Sequence, residues 1–97
     1  MQIINCEFHV KHDKNSLAQF KIAAMIEIHN ARKDRGNQSF ALYEDIENPY
    51  ELQMIEAWES EDAIEQHASS EHNLEFNRVL TDLVTRQPAV HQYNAEL

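Results

Sequence analysis

Several residue types on which common sites depend are scarce in this chain of 97 residues. Its one glycine, Gly36, leaves no glycine-rich loop to hold a phosphate or a dinucleotide. Its one cysteine, Cys6, has no partner for an internal disulfide and no second thiol for a Cys-x-x-Cys metal site. Cys6 stands in an apolar stretch and is therefore expected to be a small buried hydrophobe. An enzyme built from this chain is expected to work without a classical cofactor.

Positive charge and long hydrophobic runs are scarce as well. Eight Lys and Arg against seventeen Asp and Glu give a formal charge of −9, which repels nucleic acids and anionic membranes. No stretch of eighteen apolar residues occurs, so no membrane-spanning helix is expected. Residues 1–6 lack the basic region and apolar run of an export signal. With a single cysteine, the expected location is the reducing cytoplasm.

Hydrophobic periodicity predicts the secondary structure. Apolar residues alternate with polar ones in four predicted strands, at 2–10, 39–44, 52–59 and 89–93. Apolar residues at helical spacing predict helices at 16–33, 61–67 and 70–85. Ser16 with Gln19 resembles a capping box, and Gly36 is predicted to end the first helix in a left-handed conformation. Ser60 is the predicted cap of the second helix, and Ser69 or Ser70 that of the third.

The order of these elements is β-α-β-β-α-β, with the second helix broken near 68–70. This order predicts an α+β, ferredoxin-like fold in which an antiparallel sheet carries its helices on one face. The length suits one domain over residues 1–97. The other sheet face would remain open, and pairing with a second copy is the usual way to cover it. The chain is therefore expected to form a homodimer.

Residues that could carry chemistry concentrate between Glu56 and Phe76. Trp58 ends a predicted strand, where it could form the wall of a pocket or lie in the core with its N–H satisfied. Glu56 shares its predicted face, as a buried carboxylate with a partner or as an interface charge.

Two histidines flank the predicted helix break. His67 and His72 could exchange protons near neutral pH, or could simply cap and pack their helices. They are five residues apart, and no His-Glu-x-x-His sequence occurs, so no metal site is expected.

At these residues the chain resembles the antibiotic biosynthesis monooxygenase family. The family's most recognisable motif is matched by Glu56-x-Trp58-x-Ser60-x-x-Ala63 and then by His67-x-x-Ser70-x-His72 and Phe76. Residues 32–43 resemble its Arg-x-Glu-x-Gly-x-x-x-Tyr-x-Leu segment, with Asp34 for the glutamate and Phe40 for the tyrosine. Pro88-x-Val90-x-x-Tyr93 resembles its last strand.

The resemblance implies a dimeric α/β-barrel and a monooxygenase that uses dioxygen on small aromatic quinols or phenols without a cofactor. Asn5, His67 or His72 would contact the substrate hydroxyl, and Glu56 would bind the substrate. Phe40, Trp58 and Phe76 would form apolar walls. A module that binds an aromatic metabolite, or acts in a stress response without turnover, is the alternative.

Two other branches of the family fit less well. The haem-degrading branch has a tryptophan where this chain has His67, and a histidine where it has Asn77. The branch that isomerises a phosphorylated dione needs cations to hold the phosphate, and this acidic chain has few.

Overall fold

A computed structural model describes residues 1–95, so residues 96–97 of the predicted domain lie outside the described part. The described residues form four strands and three helices. In chain order these are β1 Gln2–His9, α1 Lys14–Ala31, β2 Asn37–Asp45, β3 Asn48–Trp58, α2 Glu61–Ala68, α3 Glu71–Leu80 and β4 Ala89–Asn94.

The strands form one antiparallel sheet in the order β2-β3-β1-β4. The helices pack on one of its faces, which confirms the predicted ferredoxin-like fold. Strand β1 lies inside the sheet, where Cys6 is opposite Met54 of β3 and Val90 of β4. Among the described residues, no helix is long and apolar enough to cross a membrane.

The core lies between the sheet and the helices, as the period-two pattern predicts. Phe8 of β1 contacts Phe20 of α1 and Phe76 of α3, with ring centroids 5.2 and 6.1 Å apart. In β3, Met54 and Trp58 are buried on this face, whereas Ile55 on the opposite face is 37% exposed. One face of the sheet is thus covered by helices, and the other is open.

Helix α1 begins two residues earlier than predicted, and Ser16 is not its cap. Asp13 has extended backbone and accepts hydrogen bonds from the Ser16 backbone N–H at 2.7 Å and from its hydroxyl at 2.8 Å. The capping-box prediction was wrong because a carboxylate three residues upstream takes both donors and draws Ser16 into the first turn.

Gly36 adopts the predicted left-handed conformation, with a φ of +83°, but it does not cap α1. The helix ends at Ala31, and its C-cap, Arg32, is still right-handed. Gly36 instead leads into β2, where a Cβ atom would lie 2.6 Å from the Cβ of Ala63 in α2. The glycine is needed for this close approach and for its φ.

The predicted helix break is confirmed. Ser60 accepts from the N–H of Ala63 to cap α2, and Ser70 accepts from the N–H of Asn73 to cap α3. Helix α3 ends at Leu80 and not near residue 85. The backbone N–H of Lys11 donates to the carbonyl of Leu83, and the side chain of Leu83 is buried. The apolar residue Leu83, which contributed to the prediction of a longer helix, therefore packs against the core from a turn.

Candidate functional site

A cavity of about 390 Å³ lies between the helix-facing side of the sheet and α3. This volume falls at the lower end of the range for small-molecule sites, roughly 300–1,000 Å³. Its apolar walls include Phe8, Phe40, Met54, Phe76 and Leu80. Polar groups in the lining include Cys6, Glu27, Glu56, Asn73 and Asn77. A depression of about 400 Å³ elsewhere on the chain is lined by acids such as Glu7, Glu44 and Glu51, and lacks this apolar enclosure.

Glu56 presents its carboxylate to this cavity from β3. The residue is only 6% exposed, and its Oε1 accepts a hydrogen bond from Nε1 of Trp58 at 3.0 Å. Burial raises the pKa of Glu56, and the Trp58 hydrogen bond offsets only part of that effect. Glu56 is thus a buried carboxylate with a partner, one of the two roles that its sequence position allows.

Cys6 points to the other oxygen of Glu56, with its Sγ 3.9 Å from Oε2. Burial, and then the charge of Glu56, raise the pKa of the Cys6 thiol to about 12. The thiol is therefore neutral at physiological pH and unsuited to act as a nucleophile. Cys6 is half-buried, since it packs against the core and also lines the cavity, so the expectation of a fully buried residue is met only in part.

Trp58 is fully buried and is not part of the cavity lining. Its ring packs against those of Phe40 and His67, with centroid distances of 6.4 and 4.7 Å, and these two rings also contact each other at 5.6 Å. Of the two roles considered for Trp58, the structure supports the core ring with its N–H satisfied. That N–H is also what orients the carboxylate of Glu56.

Behind the cavity, two histidines and two carboxylates form a His–carboxylate cluster of Glu27, Asp34, His67 and His72. Glu27 comes from α1, Asp34 from the loop after it, His67 from the last turn of α2 and His72 from the first turn of α3. His72 Nδ1 lies 2.5 Å from Glu27 Oε1, and His72 Nε2 lies 3.0 Å from Asp34 Oδ1. His67 Nδ1 lies 2.7 Å from Asp34 Oδ2.

Burial and charge act against each other in this cluster. Burial raises the pKa of Glu27, and the hydrogen bond and charge of His72 offset this effect in part. Burial acts to lower the pKa of His72, but the hydrogen bonds to Glu27 and Asp34 outweigh it and raise the pKa. Glu27 Oε2 is buried without a hydrogen-bond partner among residues 1–95.

The predicted site residues other than Trp58 fall in three places. Glu56, Phe40 and Phe76 line the cavity, whereas His67 and His72 lie behind Glu27 and are not among its lining residues. Asn5 follows the strand alternation onto the open face, since its neighbour Cys6 lines the cavity. The structure therefore brings neither histidine nor Asn5 into contact with the cavity itself.

Sequence reasoning missed Glu27 and gave Asp34 no role of its own. One signal for Glu27 was available: it lies three residues after Ala24 and seven after Phe20, on the buried stripe of α1. An acid on such a stripe needs a buried partner. No sequence pattern identified the partner, which is His72, 45 residues later.

Comparison with known sequences connects most of the chain with one family. The profile of the antibiotic biosynthesis monooxygenase family matches residues 1–79. Among proteins with curated descriptions, none matches the chain at a significant level.

Solved structures share the fold over almost the whole length. A protein from Nitrosomonas europaea, described as a candidate antibiotic biosynthesis monooxygenase, superposes with a TM-score of 0.92 at 18% identity and covers 98% of both chains. Rv0793 from Mycobacterium tuberculosis gives 0.89 at 23% identity, covering 98% of this chain and 94% of its own. A conserved protein from Methanosarcina mazei gives 0.91 at 23% identity, covering 98% and 92%. At these identities the likeness shows the fold.

Proposed function

Because the chain belongs to the antibiotic biosynthesis monooxygenase family, we propose that it oxygenates a small quinol or phenol in the cavity beside Glu56. The observation that carries this proposal is a buried carboxylate facing an otherwise mostly aromatic and aliphatic cavity. The substrate ring would lie in this cavity, which Phe40 and Phe76 line, with its hydroxyl toward Glu56.

Glu56 is the proposed general base. It removes the proton of the substrate hydroxyl, and its raised pKa brings it closer to the strength that this transfer needs. Trp58 is a positioning residue, because its N–H holds Oε1 of the carboxylate. The proton goes to Oε2, whose partner is the Cys6 thiol, a weak donor. The apolar walls keep water from the electron-rich anion that results.

The substrate supplies every electron in the reaction. For a hydroquinone, the anion passes one electron to dioxygen, and the radical pair combines to form a carbon–oxygen bond and a hydroperoxide. Loss of the proton on that carbon then breaks the oxygen–oxygen bond and releases hydroxide, which becomes water. The products are one hydroxyquinone and one water for each hydroquinone and dioxygen, so neither flavin nor haem is required.

Oxygen uptake by the purified protein tests this proposal. With a panel of hydroquinones and phenols, the wild type is expected to consume one dioxygen for each hydroxyquinone formed from a hydroquinone, or for each quinone formed from a phenol. Glu56→Gln keeps an acceptor for Trp58 but cannot take a proton, so the rate should fall at least about 100-fold. Glu59→Gln is the matched control, because Glu59 follows the same strand and is exposed. Equal rates in wild type and Glu56→Gln would exclude Glu56 as the base.

The alternative function is a module that binds an aromatic metabolite without converting it. The core position of Trp58 supports this alternative, because the ring fills space that an enlarged catalytic pocket would use. Trp58 is also the only tryptophan, so its fluorescence reports binding next to Glu56. Saturable quenching by a hydroquinone without oxygen uptake would favour the binding module over the oxygenase.

A further inference from the structure

The His–carboxylate cluster brings together three groups that can bind a metal. One carboxylate oxygen of Glu27 and one ring nitrogen each of His67 and His72 lie within 4.8 Å of one another. Glu27 and His67 are buried, and His72 is half-buried, so these donors are not ordinary solvated surface groups. Three protein ligands within one ion's reach are the usual number where a site keeps an open position.

Asp34 orients both histidines toward Glu27. It accepts from His67 Nδ1 at 2.7 Å and from His72 Nε2 at 3.0 Å. An ionised carboxylate only accepts hydrogen bonds, so each imidazole carries a proton on the nitrogen that faces Asp34. The other two nitrogens, His67 Nε2 and His72 Nδ1, face Glu27. Metal-binding histidines are commonly held in this way, by a carboxylate on the nitrogen remote from the ion.

One gap in the cluster has the dimensions of a bound ion. Glu27 Oε2 is 3.7 Å from His67 Nε2 and has no hydrogen-bond partner in the described part of the chain. This separation is too long for a hydrogen bond. Two ligands that share an ion, each at about 2.0–2.2 Å, lie roughly 3–4 Å apart. The unpartnered oxygen belongs to a side chain that is 1% exposed, where an unsatisfied charge is costly.

From these contacts we propose that Glu27, His67 and His72 bind one divalent transition-metal ion, with Asp34 as the carboxylate that orients the histidines. Two imidazoles and one carboxylate favour ions such as Zn²⁺, Fe²⁺ or Co²⁺ over Mg²⁺ and Ca²⁺, which prefer oxygen ligands. Binding of the ion would displace the proton on His72 Nδ1, and this nitrogen and Glu27 Oε1, 2.5 Å apart in the hydrogen bond, would separate to the spacing of two ligands. It also neutralises the two negative charges of Glu27 and Asp34.

Two openings lead to the proposed site. Glu27 lines the cavity beside Glu56, and with His72 it also lines a groove of about 210 Å³ between α1 and α3. Ala23, Ile26 and Val79 make this groove largely apolar. Glu56 does not line this groove, so the groove gives the cluster an approach that does not pass Glu56.

Cobalt is the probe for the test. Tag-free protein is treated with a chelator and titrated with Co²⁺ alone, and the visible d–d bands and equilibrium dialysis are followed. One Co²⁺ per chain with new d–d bands is the expected result, and Zn²⁺ should raise the melting temperature. Absence of saturable binding up to millimolar Co²⁺ would overturn the proposal.

Variants identify the ligands. His72→Gln should abolish the d–d bands, and Asp34→Asn should weaken binding about 10–100-fold. His91→Gln is the control, because His91 lies on β4, outside the cluster, and is exposed. His67 packs on Trp58, and its substitution can disturb folding. The test of the ligand assignment therefore depends on His72, which is half-buried. Equal cobalt binding by His72→Gln and wild type would contradict the assignment.

The metal site goes beyond the proposed oxygenation, and the two can fail separately. Glu56→Gln should keep its cobalt bands while losing oxygen uptake, since Glu56 is not among the three ligands. Oxygen uptake by the chelator-treated protein would leave the oxygenase proposal standing even if no ion bound.

Discussion

At the scale of the residue, Glu56 is a carboxylate at a position where a neutral side chain would cost less. Glu56 is buried next to apolar side chains, and its single strong donor is the indole of Trp58. Functional sites commonly contain charged groups in cavities, and these groups lower the stability of the fold. The same carboxylate therefore supports the proposed function and weakens the fold.

Glu56→Gln is predicted to stabilise the protein at neutral pH. Burial raises the folded-state pKa of Glu56, so ionisation costs free energy as the pH rises from the unfolded pKa, about 4.3, through the folded pKa. Glutamine stays neutral and still accepts from Trp58. An increase of about 1 kcal/mol in the free energy of unfolding would raise the melting temperature by roughly 4–8 °C.

Calorimetry at pH 7 and near pH 4 measures this effect. The gain should be present at pH 7 and absent near pH 4, where the wild-type carboxyl is also protonated. Glu59→Gln, at an exposed position, should change neither value. A loss of stability at pH 7 would show that the charged form of Glu56 is the one that the fold favours.

At the scale of the element, the ends of the helices build the site. The Ser70 cap separates α2 from α3, so that His67 ends one helix and His72 begins the next. The break turns the chain and lets both imidazoles reach Asp34, which follows α1. In a continuous helix, two side chains five residues apart would point in directions about 140° apart around the axis.

The cap of α1 yields a prediction at this scale. Asp13→Ala should lower the free energy of unfolding by about 1 kcal/mol, because it removes the acceptor for the Ser16 N–H and hydroxyl. Ser16→Ala should cost less, since the backbone hydrogen bond to Asp13 remains. Urea unfolding of the two variants measures the difference. A larger loss in Ser16→Ala would contradict Asp13 as the cap.

At the scale of the whole molecule, the open face of the sheet is the main surface that no helix covers. Ile55 and Tyr93 lie on it with Asn5, whose Oδ1 is buried but unpartnered among residues 1–95. This face mixes apolar residues such as Ile55 with polar ones, and its unsatisfied buried acceptor suits pairing with a second copy. The homodimer stays a prediction, and this face is where we expect the two copies to meet.

Ile55→Asp is predicted to convert a dimer into a monomer. The substitution places a charge on the open face, where burial against a second copy would be costly. Light scattering coupled to size-exclusion chromatography measures the mass. Ile46→Asp is the matched control, because Ile46 is 99% exposed in the turn between β2 and β3. An unchanged mass for Ile55→Asp, or a monomeric wild type, would exclude this interface.

Local sequence determined much of this protein. The alternation around Phe8 and Met54 predicted the strands and their buried faces, and Ser60 and Ser70 marked the helix starts. The motif from Glu56 to Phe76 identified the family. These features could be predicted because strand alternation, helix caps and motifs depend on residues close together in the chain.

Only the tertiary structure decided how the candidate site is assembled. Glu27 meets His72 across 45 residues, and Asp34 meets His67 across 33, so neither contact follows from local periodicity. Their approach depends on how α1 packs beside α2 and α3 on the sheet. The same packing placed Glu56 in the cavity and the histidines behind Glu27, because the surroundings of a side chain depend on which elements pack against its own.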